Sequence, residues 1–285
     1  MSAQQATGID VALYQKAIDW TKVKASGQTF AFIKATQGQA ITDPYFAANW
    51  SQAKAAGLPR GAYHFYENSG DGPAQAQRFV AVIGSDHGEL PPVVDVEDPN
   101  GTANINDLKG CLDTMEAAFG RKPMIYTANW YWNPARWGGP VAWARQYDLW
   151  VATYNAANPV VPSDWTSWRF WQTSMGSVAG IAAAVDVDVF NGSADDLLAW
   201  LQAKPKPAPQ HTVPNVANQV VINAFFHAFG QNYWDKVVSA GLTSMAVPRT
   251  NRTLKYSGPA IEDLPGLTDA DKAALIAALA QTPPA

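Results

Sequence analysis

The alternation of strand-like and helical segments along most of this sequence predicts an α/β fold, namely a closed barrel of eight strands. Short apolar runs that are typical of buried strands recur along the chain, and helical patterns separate the first five of them. Alternation of this kind implies parallel pairing, and eight parallel strands close into a barrel. Carboxylates lie on or next to several of the runs, where a barrel would gather them at one rim.

Each predicted strand is a short run of apolar and β-branched residues that ends at Gly, Pro or a polar residue. The predicted strands are residues 8–11, 30–35, 61–66, 92–97, 124–127, 148–152, 169–172 and 185–190. The predicted helices are residues 18–23, 46–56, 73–83, 105–119 and 195–201, with a further short one in 141–145. The helical period is clearest in 105–119, where Gly120 ends the helix. Because helical patterns are sparse after the fifth strand, the second half of the barrel is expected to be irregular.

Composition excludes several other classes of protein. The chain has 285 residues and a formal net charge of -4, and no basic patch indicates binding to nucleic acid. No apolar run is long enough to span a bilayer, so membrane insertion is not predicted. The lone cysteine, Cys111, excludes an internal disulfide. We predict no cofactor, and the sequence leaves the oligomeric state open.

Two carboxylates in the fourth predicted strand are the strongest chemical signal. Asp95 and Glu97 are two residues apart, so on a strand both point to the same side, with Cα atoms about 6.5–7 Å apart. Val94 and Val96 point the other way, into apolar packing. Like charges this close raise one pKa, which gives a proton donor beside a group that stays ionised. Hydrolysis of a glycosidic bond requires such a pair.

Further acids are expected to join this pair. Asp10 ends the first predicted strand, and Asp186 and Asp188 lie on the eighth, which is adjacent to the first in a closed barrel. Active sites of such barrels lie at the C-terminal ends of the strands, so these acids should meet Asp95 and Glu97 at one mouth. A single acid is more often a turn or cap residue, but several that converge indicate a site.

The acid pair has two structural alternatives. It could form an ion pair with Arg60 or Lys34. Together with Asp98 and His64 it could instead bind a metal ion, but the chain lacks a His-x-x-x-His pair and a cysteine cluster, so we predict no metal site. His64 alone is typical of a hydrogen-bonded strand histidine. No Gly-x-Ser-x-Gly motif indicates a serine hydrolase.

A proline-rich segment, residues 204–210, divides the chain. Its composition predicts an extended, semi-rigid linker. Residues 1–203 would then form the barrel, which carries the catalytic residues. Residues 211–285 would form a small helical module.

Several stretches also match a known family in order and spacing. They are GIDV at 8–11, YQ at 14–15, IDW at 18–20, FIKATQG at 32–38, GAYHF at 61–65, DVE at 95–97 and VDVDVFNG at 185–192. Residues 7–203 thereby resemble glycoside hydrolase family 25, the lysozymes (N-acetylmuramidases) common in phage endolysins. The resemblance implies an irregular TIM-like barrel with eight strands and about five helices. It also implies hydrolysis of the β-1,4 bond between N-acetylmuramic acid and N-acetylglucosamine in bacterial peptidoglycan.

The resemblance implies roles for individual residues. Glu97 matches the general acid, Asp95 its partner carboxylate, and Asp10 and Asp186 the other rim acids. The predicted substrate-binding residues are Tyr63, Tyr126, Trp150, Gln172 and Asp188. After Glu97 protonates the glycosidic oxygen, the partner carboxylate would stabilise positive charge at the anomeric carbon. It would do so by activating water or by orienting the N-acetyl group of the substrate.

The functional alternative is a non-catalytic peptidoglycan-binding lectin on the same barrel, although the presence of Glu97 favours the enzyme. Peptidoglycan is the expected partner in either case. Residues 211–285 are expected to bind the cell wall, with a packing or dimerisation element as the alternative. The N-terminus lacks the basic start and apolar core of a secretory signal. We therefore expect an endolysin that stays in the host cytoplasm until its release to the wall, and a secreted bacterial enzyme is the alternative.

Overall fold

A computed structural model describes residues 4–68 and 70–202 of the chain, so the predicted linker and C-terminal module lie outside the described residues. The strands in this part are β1 Gln5–Val11, β2 Phe30–Gln37, β3 Ile41–Thr42, β4 Arg60–Phe65, β5 Val93–Asp95, β6 Met124–Ala128, β7 Leu149–Ala152, β8 Phe170–Gly176 and β9 Val185–Ser193. The helices are α1 Trp20–Ala25, α2 Phe46–Ala55, α3 Gly72–Ile83, α4 Ile105–Phe119, α5 Pro134–Trp137 and α6 Ala194–Gln202, with 3-10 turns at Leu13–Gln15 and Ala144–Gln146. No helix in this part of the chain is both long and apolar enough to cross a membrane.

Eight of the strands close into a barrel, which confirms the predicted fold class. The strand order is β1-β9-β8-β7-β6-β5-β4-β2, and pairing of β1 with β2 closes the ring. The two-residue β3 adds a short hairpin to the outer end of β2. Parallel pairing runs from β1 through β2, β4, β5, β6 and β7 to β8, as the alternation of strands and helices predicted.

The last barrel strand departs from the prediction of parallel pairing throughout. β9 is antiparallel to both of its neighbours, β8 and β1. The connection 177–184 from β8 to β9 is too short for the crossover of a dozen or more residues that a parallel pair needs, so the chain turns back on itself. As a result, the first residues of β9, and not its last, lie at the mouth formed by the C-terminal ends of the other strands.

Most helices begin and end close to their predicted positions. α4 matches exactly at Ile105–Phe119, with the Asn104 side chain accepting hydrogen bonds at its start and Gly120 in a left-handed conformation at its end. The helix predicted at 141–145 is wrong, because that region forms only the 3-10 turn Ala144–Gln146. The strand predicted at 92–97 ends at Asp95, so Glu97 follows the strand and does not lie within it.

Two apolar layers hold the barrel together. The outer layer packs strand residues such as Ile33 and Val94 against helix residues such as Leu112. The inner layer is largely aromatic and fills the barrel beneath the mouth, with Phe32, Phe170 and other rings in edge or stacked contact. An aromatic filling of this kind makes the lower barrel a packed core and not a channel.

Helix α6 closes the bottom of the barrel, at the end opposite the mouth. Leu197 on this helix is 1% exposed and belongs to the inner layer. The centre of the Trp200 ring lies 5.8 Å from the centres of the Phe170 and Phe190 rings. The helix predicted at 195–201 therefore acts as a plug under the inner layer.

We expect Leu197→Ala to lower the free energy of unfolding by about 2–5 kcal/mol, because it leaves a cavity under the inner layer. Denaturant unfolding followed by circular dichroism measures the loss. The neighbouring Leu198 is 47% exposed, so Leu198→Ala is a matched control that should change the same quantity by less than about 0.5 kcal/mol. Equal losses in the two variants would contradict the role of α6 as a plug.

Candidate active site

The predicted acids meet at one mouth of the barrel. Asp10 comes from the end of β1, Asp95 is the last residue of β5, and Glu97 lies two residues further on. Antiparallel pairing places Asp186 directly opposite Asp10, and Asp188 opposite Gly8. The charges of these acids act on one another, since Asp186 and Glu97 both raise the pKa of Asp10. The structure therefore brings together the acids that sequence spacing assigned to three separate strands.

Gln172 of β8 links the acids to two tyrosines. Its Nε2 donates a hydrogen bond of 2.5 Å to Oδ2 of Asp10. Its Oε1 accepts hydrogen bonds of 2.7 Å from the hydroxyls of Tyr126 and Tyr154. The Tyr154 hydroxyl also lies 3.3 Å from Oδ1 of Asp186. The amide thus fixes one rim acid directly and contacts a second through a tyrosine.

Burial and like charge raise the pKa values of Asp10 and Glu97. Burial, followed by the charge of Asp186, raises the pKa of Asp10 to about 8. The pKa of Glu97 is raised by burial first and by Asp186 second, whereas Lys34 and a hydrogen bond from Tyr126 oppose the rise. A glutamic acid that is partly exposed and holds its proton has the properties of a general acid.

Asp95 has a different environment from Glu97. It is 6% exposed, and its Oδ1 has no hydrogen-bond partner among the residues that the structure describes. Burial raises its pKa well above the usual range, and the charge of Glu97 adds to the rise. The Lys34 ammonium acts in the opposite direction on both acids. Asp95 is therefore a desolvated group with one oxygen free to accept a hydrogen bond.

Lys34 is held at the rim by neighbouring groups. Its Nζ donates a 2.9 Å hydrogen bond to Oε1 of Gln37 and lies 4.7 Å from the centre of the Phe65 ring. Its pKa is lowered by burial, and the charge of Asp95 is the largest opposing effect. No salt bridge joins Lys34 to Asp95 or Glu97 in the described part of the chain. Lys34 thus lowers the pKa of both Asp95 and Glu97 without forming a salt bridge to either of them.

Three of the predicted substrate-binding residues lie below the rim. Trp150 is 2% exposed, stacks on Phe32 and donates a 2.8 Å hydrogen bond from Nε1 to Oδ1 of Asp188. Asp188 itself is fully buried. Tyr63 packs edge-on against Trp150. These side chains form the floor of the mouth, and direct contact between them and a sugar stays a prediction.

Exposed aromatic residues surround the same mouth, and sequence reasoning did not identify them. Tyr14 follows β1, Trp130 follows β6 and Tyr154 follows β7, and each is at least half exposed. Apolar rings that remain exposed near a polar cleft commonly mark a ligand surface. Their position directly after predicted strands was the available signal, because those loops line the mouth of a parallel barrel.

The structural alternatives for the acid pair do not match the observed contacts. Arg60 pairs with Asp86 at 2.8 Å and stacks on Trp50, so its ion pair with Asp95 and Glu97 is excluded.

His64 is buried between Thr36 and Gln75, and burial lowers its pKa to about 4. Asp98 accepts hydrogen bonds from the backbone of Asn68 and Asn100. Within the described residues, no group of three or more His, Cys, Asp or Glu side chains is arranged to hold a metal ion.

The raised pKa of Asp10 predicts a pH-dependent cost to stability. The folded protein holds this proton up to about pH 8, whereas the ordinary pKa of an aspartic acid side chain is 3.8. The contribution of protonated Asp10 to stability is complete below the lower of these two pKa values and is lost as the pH rises through the higher one. We expect Asp10→Asn to raise the melting temperature at about pH 8 and to leave it nearly unchanged at about pH 4, because an amide has no charge to bury.

Thermal unfolding of both proteins at the two pH values measures this effect. Asp196 at the start of α6 is a suitable control, since hydrogen bonds from Ser193 lower its pKa and it is exposed. Asp196→Asn should therefore give no gain at alkaline pH. A gain for Asp196→Asn, or none for Asp10→Asn, would contradict the buried position of the Asp10 charge.

Comparison with known proteins identifies the family. The sequence model described as "Glycosyl hydrolases family 25" matches residues 9–181. Lysozyme M1 from Streptomyces globisporus is 38% identical over 208 residues, which cover 67% of this chain and 70% of that protein. N,O-diacetylmuramidase from Chalaropsis sp is 29% identical over 207 residues, which cover 67% of this chain and 96% of that protein.

A solved structure agrees with these sequence matches. The bacterial lysozyme from Streptomyces coelicolor superimposes with a TM-score of 0.63 and 36% identity, over 69% of this chain and 96% of that one. The resemblance predicted from the sequence motifs is therefore confirmed. The chain belongs to family 25 of the glycosyl hydrolases and is a glycoside hydrolase of the lysozyme type.

Proposed function

We propose that this enzyme is a muramidase that hydrolyses the β-1,4 bond between N-acetylmuramic acid and N-acetylglucosamine in bacterial peptidoglycan. The observation that carries the proposal is the position of Glu97, which is partly exposed at the mouth while burial and Asp186 raise its pKa. A carboxyl that keeps its proton and is open to a cleft can protonate a leaving oxygen. The lysozyme and muramidase relatives support peptidoglycan as the substrate.

Glu97 acts as the general acid in this proposal. It donates its proton to the glycosidic oxygen while the bond from that oxygen to the anomeric carbon breaks. The leaving sugar departs with a new hydroxyl group, and Glu97 becomes a carboxylate. Lys34 then stabilises the new negative charge, because the ammonium favours the ionised form of Glu97. The same ammonium keeps the pKa of Glu97 low enough for the proton to be transferred.

Asp95 is the proposed partner carboxylate. It lies two residues before Glu97 and has an oxygen without a partner in the described residues, so it can accept a hydrogen bond from the substrate or from water. Positive charge develops at the anomeric carbon as the bond breaks, and a nearby carboxylate stabilises it. Asp95 either takes a proton from water, whose oxygen then bonds to the anomeric carbon, or orients the N-acetyl group of the substrate. In the second route the N-acetyl oxygen bonds to that carbon, and water replaces it while returning a proton to Glu97.

The exposed rings around the mouth are proposed sugar contacts. The C–H faces of a sugar ring can pack on an aromatic face, and Trp130 and Tyr14 are 64% and 72% exposed. Tyr154 combines a half-exposed ring with a hydroxyl that reaches Gln172 and Asp186. These residues would hold a glycan chain across the mouth while the buried acids lie beneath it.

We expect Glu97→Gln to lower the rate of peptidoglycan hydrolysis by about 10²–10⁴-fold, because the amide keeps the shape of the side chain but cannot donate the proton. The loss of turbidity of a wall suspension gives the rate. Mass spectrometry of the wild-type digest identifies the bond, since cleavage by a muramidase leaves N-acetylmuramic acid at the new reducing end.

Glu116 provides a control for this substitution. It lies on the outer helix α4 and pairs with Lys122 at 3.5 Å, away from the mouth. Glu116→Gln should therefore leave the rate unchanged. If Glu97→Gln kept most of the activity, the assignment of Glu97 would be wrong. A wild-type digest with N-acetylglucosamine at the new reducing ends would instead refute the proposed bond.

The family match favours this enzyme over the non-catalytic wall lectin. We further propose that residues 211–285 target the enzyme to the cell wall, and the support is their helical pattern behind a proline-rich linker. The phage setting and the cytoplasmic location before release stay predictions.

The full chain should bind insoluble peptidoglycan at least about tenfold more tightly than residues 1–203, because a second linked binding site raises the avidity. Co-sedimentation with purified walls measures both affinities. Both proteins should carry Glu97→Gln, so that the walls are not digested during the assay. Equal co-sedimentation would contradict wall targeting by the C-terminal module.

A further inference from the structure

Asp10 and Asp188 form a pair of buried carboxyl groups on the floor of the mouth. Asp188 is fully buried, and Asp10 is 7% exposed. They lie on adjacent antiparallel strands, where Asp188 is opposite Gly8 and therefore diagonal to Asp10. Each carboxyl group shifts the pKa of the other as a hydrogen-bond partner would. A hydrogen bond between two carboxyl groups forms only when at least one of them carries a proton.

The hydrogen-bond partners of the pair indicate which group carries that proton. Oδ2 of Asp10 accepts a hydrogen bond from Nε2 of Gln172. Oδ1 of Asp188 accepts one from Nε1 of Trp150, but its Oδ2 has no N–H or O–H donor among the described residues. An ionised Asp188 would therefore bury a charged oxygen without a donor, which is costly. A protonated Asp188 turns that oxygen into a donor to Asp10.

The charges around Asp188 favour the same assignment. Asp10 on β1 and Asp186 on β9 face it, and both disfavour a second negative charge. Trp150 on β7 supplies one neutral donor. Burial is the largest effect on Asp188 and raises its pKa well above the usual range. By contrast, the cation of the mouth, Lys34, acts on Asp95 and Glu97.

We propose that Asp188 is a permanently protonated carboxylic acid that donates a hydrogen bond to Asp10 and so orients the Asp10 carboxyl group toward Asp186 and Glu97. Asp188 is thus a positioning residue, which acts on the reaction through Asp10. This role replaces the substrate contact predicted for Asp188 from the sequence, because its side chain is fully buried. The inference rests on the proposed function, because Asp188 acts through Asp10, whose pKa responds to the charge of the proposed general acid, Glu97. Asp188 therefore differs from the other acids of the mouth, because it acts without ever being ionised.

Substitution of Asp188 by Asn tests this distinction. An Asn side chain can donate from Nδ2 to Asp10 and accept from Trp150 with Oδ1, so it reproduces both contacts of the protonated acid. We expect Asp188→Asn to have a kcat/KM on peptidoglycan at least about tenfold higher than that of Asp188→Ala, with the pH profile of the wild type. Asp188→Ala removes the acceptor of Trp150 Nε1 and the proposed donor to Asp10, so we expect a loss of about tenfold or more.

A second measurement reports the protonation state without requiring activity. The infrared difference spectrum between wild type and Asp188→Asn at neutral pH should contain the C=O stretch of a carboxylic acid. The proposal is overturned if the difference shows a carboxylate band in its place, or if a folded Asp188→Asn protein loses as much activity as Asp188→Ala. A wild-type protein that does not cleave peptidoglycan would refute the proposed function, while the infrared result would still decide the state of Asp188.

Discussion

The antiparallel pairing of β9 with β1 is the constraint on which the active site depends. It sets Asp186 directly opposite Asp10, and residues in that relation have Cβ atoms only about 4.5–5.5 Å apart. Because both acids are held by backbone hydrogen bonds of the sheet, their repulsion cannot be relieved by the movement of a loop. Burial is the first cause of the raised pKa of Asp10, and this fixed repulsion from Asp186 adds to it. The catalytic chemistry therefore depends on the topology of the barrel.

The burial of each acid then determines which role it can have. Asp188 is fully buried, Asp95 and Asp10 are 6% and 7% exposed, and Glu97 and Asp186 are partly open. A fully buried acid keeps its proton and can serve only as a fixed hydrogen-bond donor. A partly open acid can exchange its proton with solvent after each turnover, as a general acid must. The same residue type thus serves different purposes according to the burial that the strands impose.

The sequence predicted the regular parts of this molecule well, since periodicity and capping residues define α4 and apolar runs define the barrel strands. It did not predict the direction of β9, because an apolar run has the same pattern in either orientation. The short connection 177–184 determines the direction of β9, because it cannot span a parallel crossover. Tyr154 and Trp130 were missed for another reason: they lie in loops, where no period marks a residue, and only their position after a strand identifies them.

The excess of carboxyls over cations at the mouth is costly to stability, and the rest of the barrel offsets that cost. An aromatic filling of Phe32, Trp150 and Phe170 packs beneath the acids, and α6 closes it from below. More positive charge at the mouth would stabilise the ionised acids, but it would also lower the pKa of Glu97 and so oppose the protonated form that the proposed reaction needs. Lys34 is placed between these limits, because its charge acts on both Asp95 and Glu97 but neutralises neither. The proposed reaction therefore needs the excess of carboxyl groups at the mouth, and the packing of the interior offsets its cost to stability.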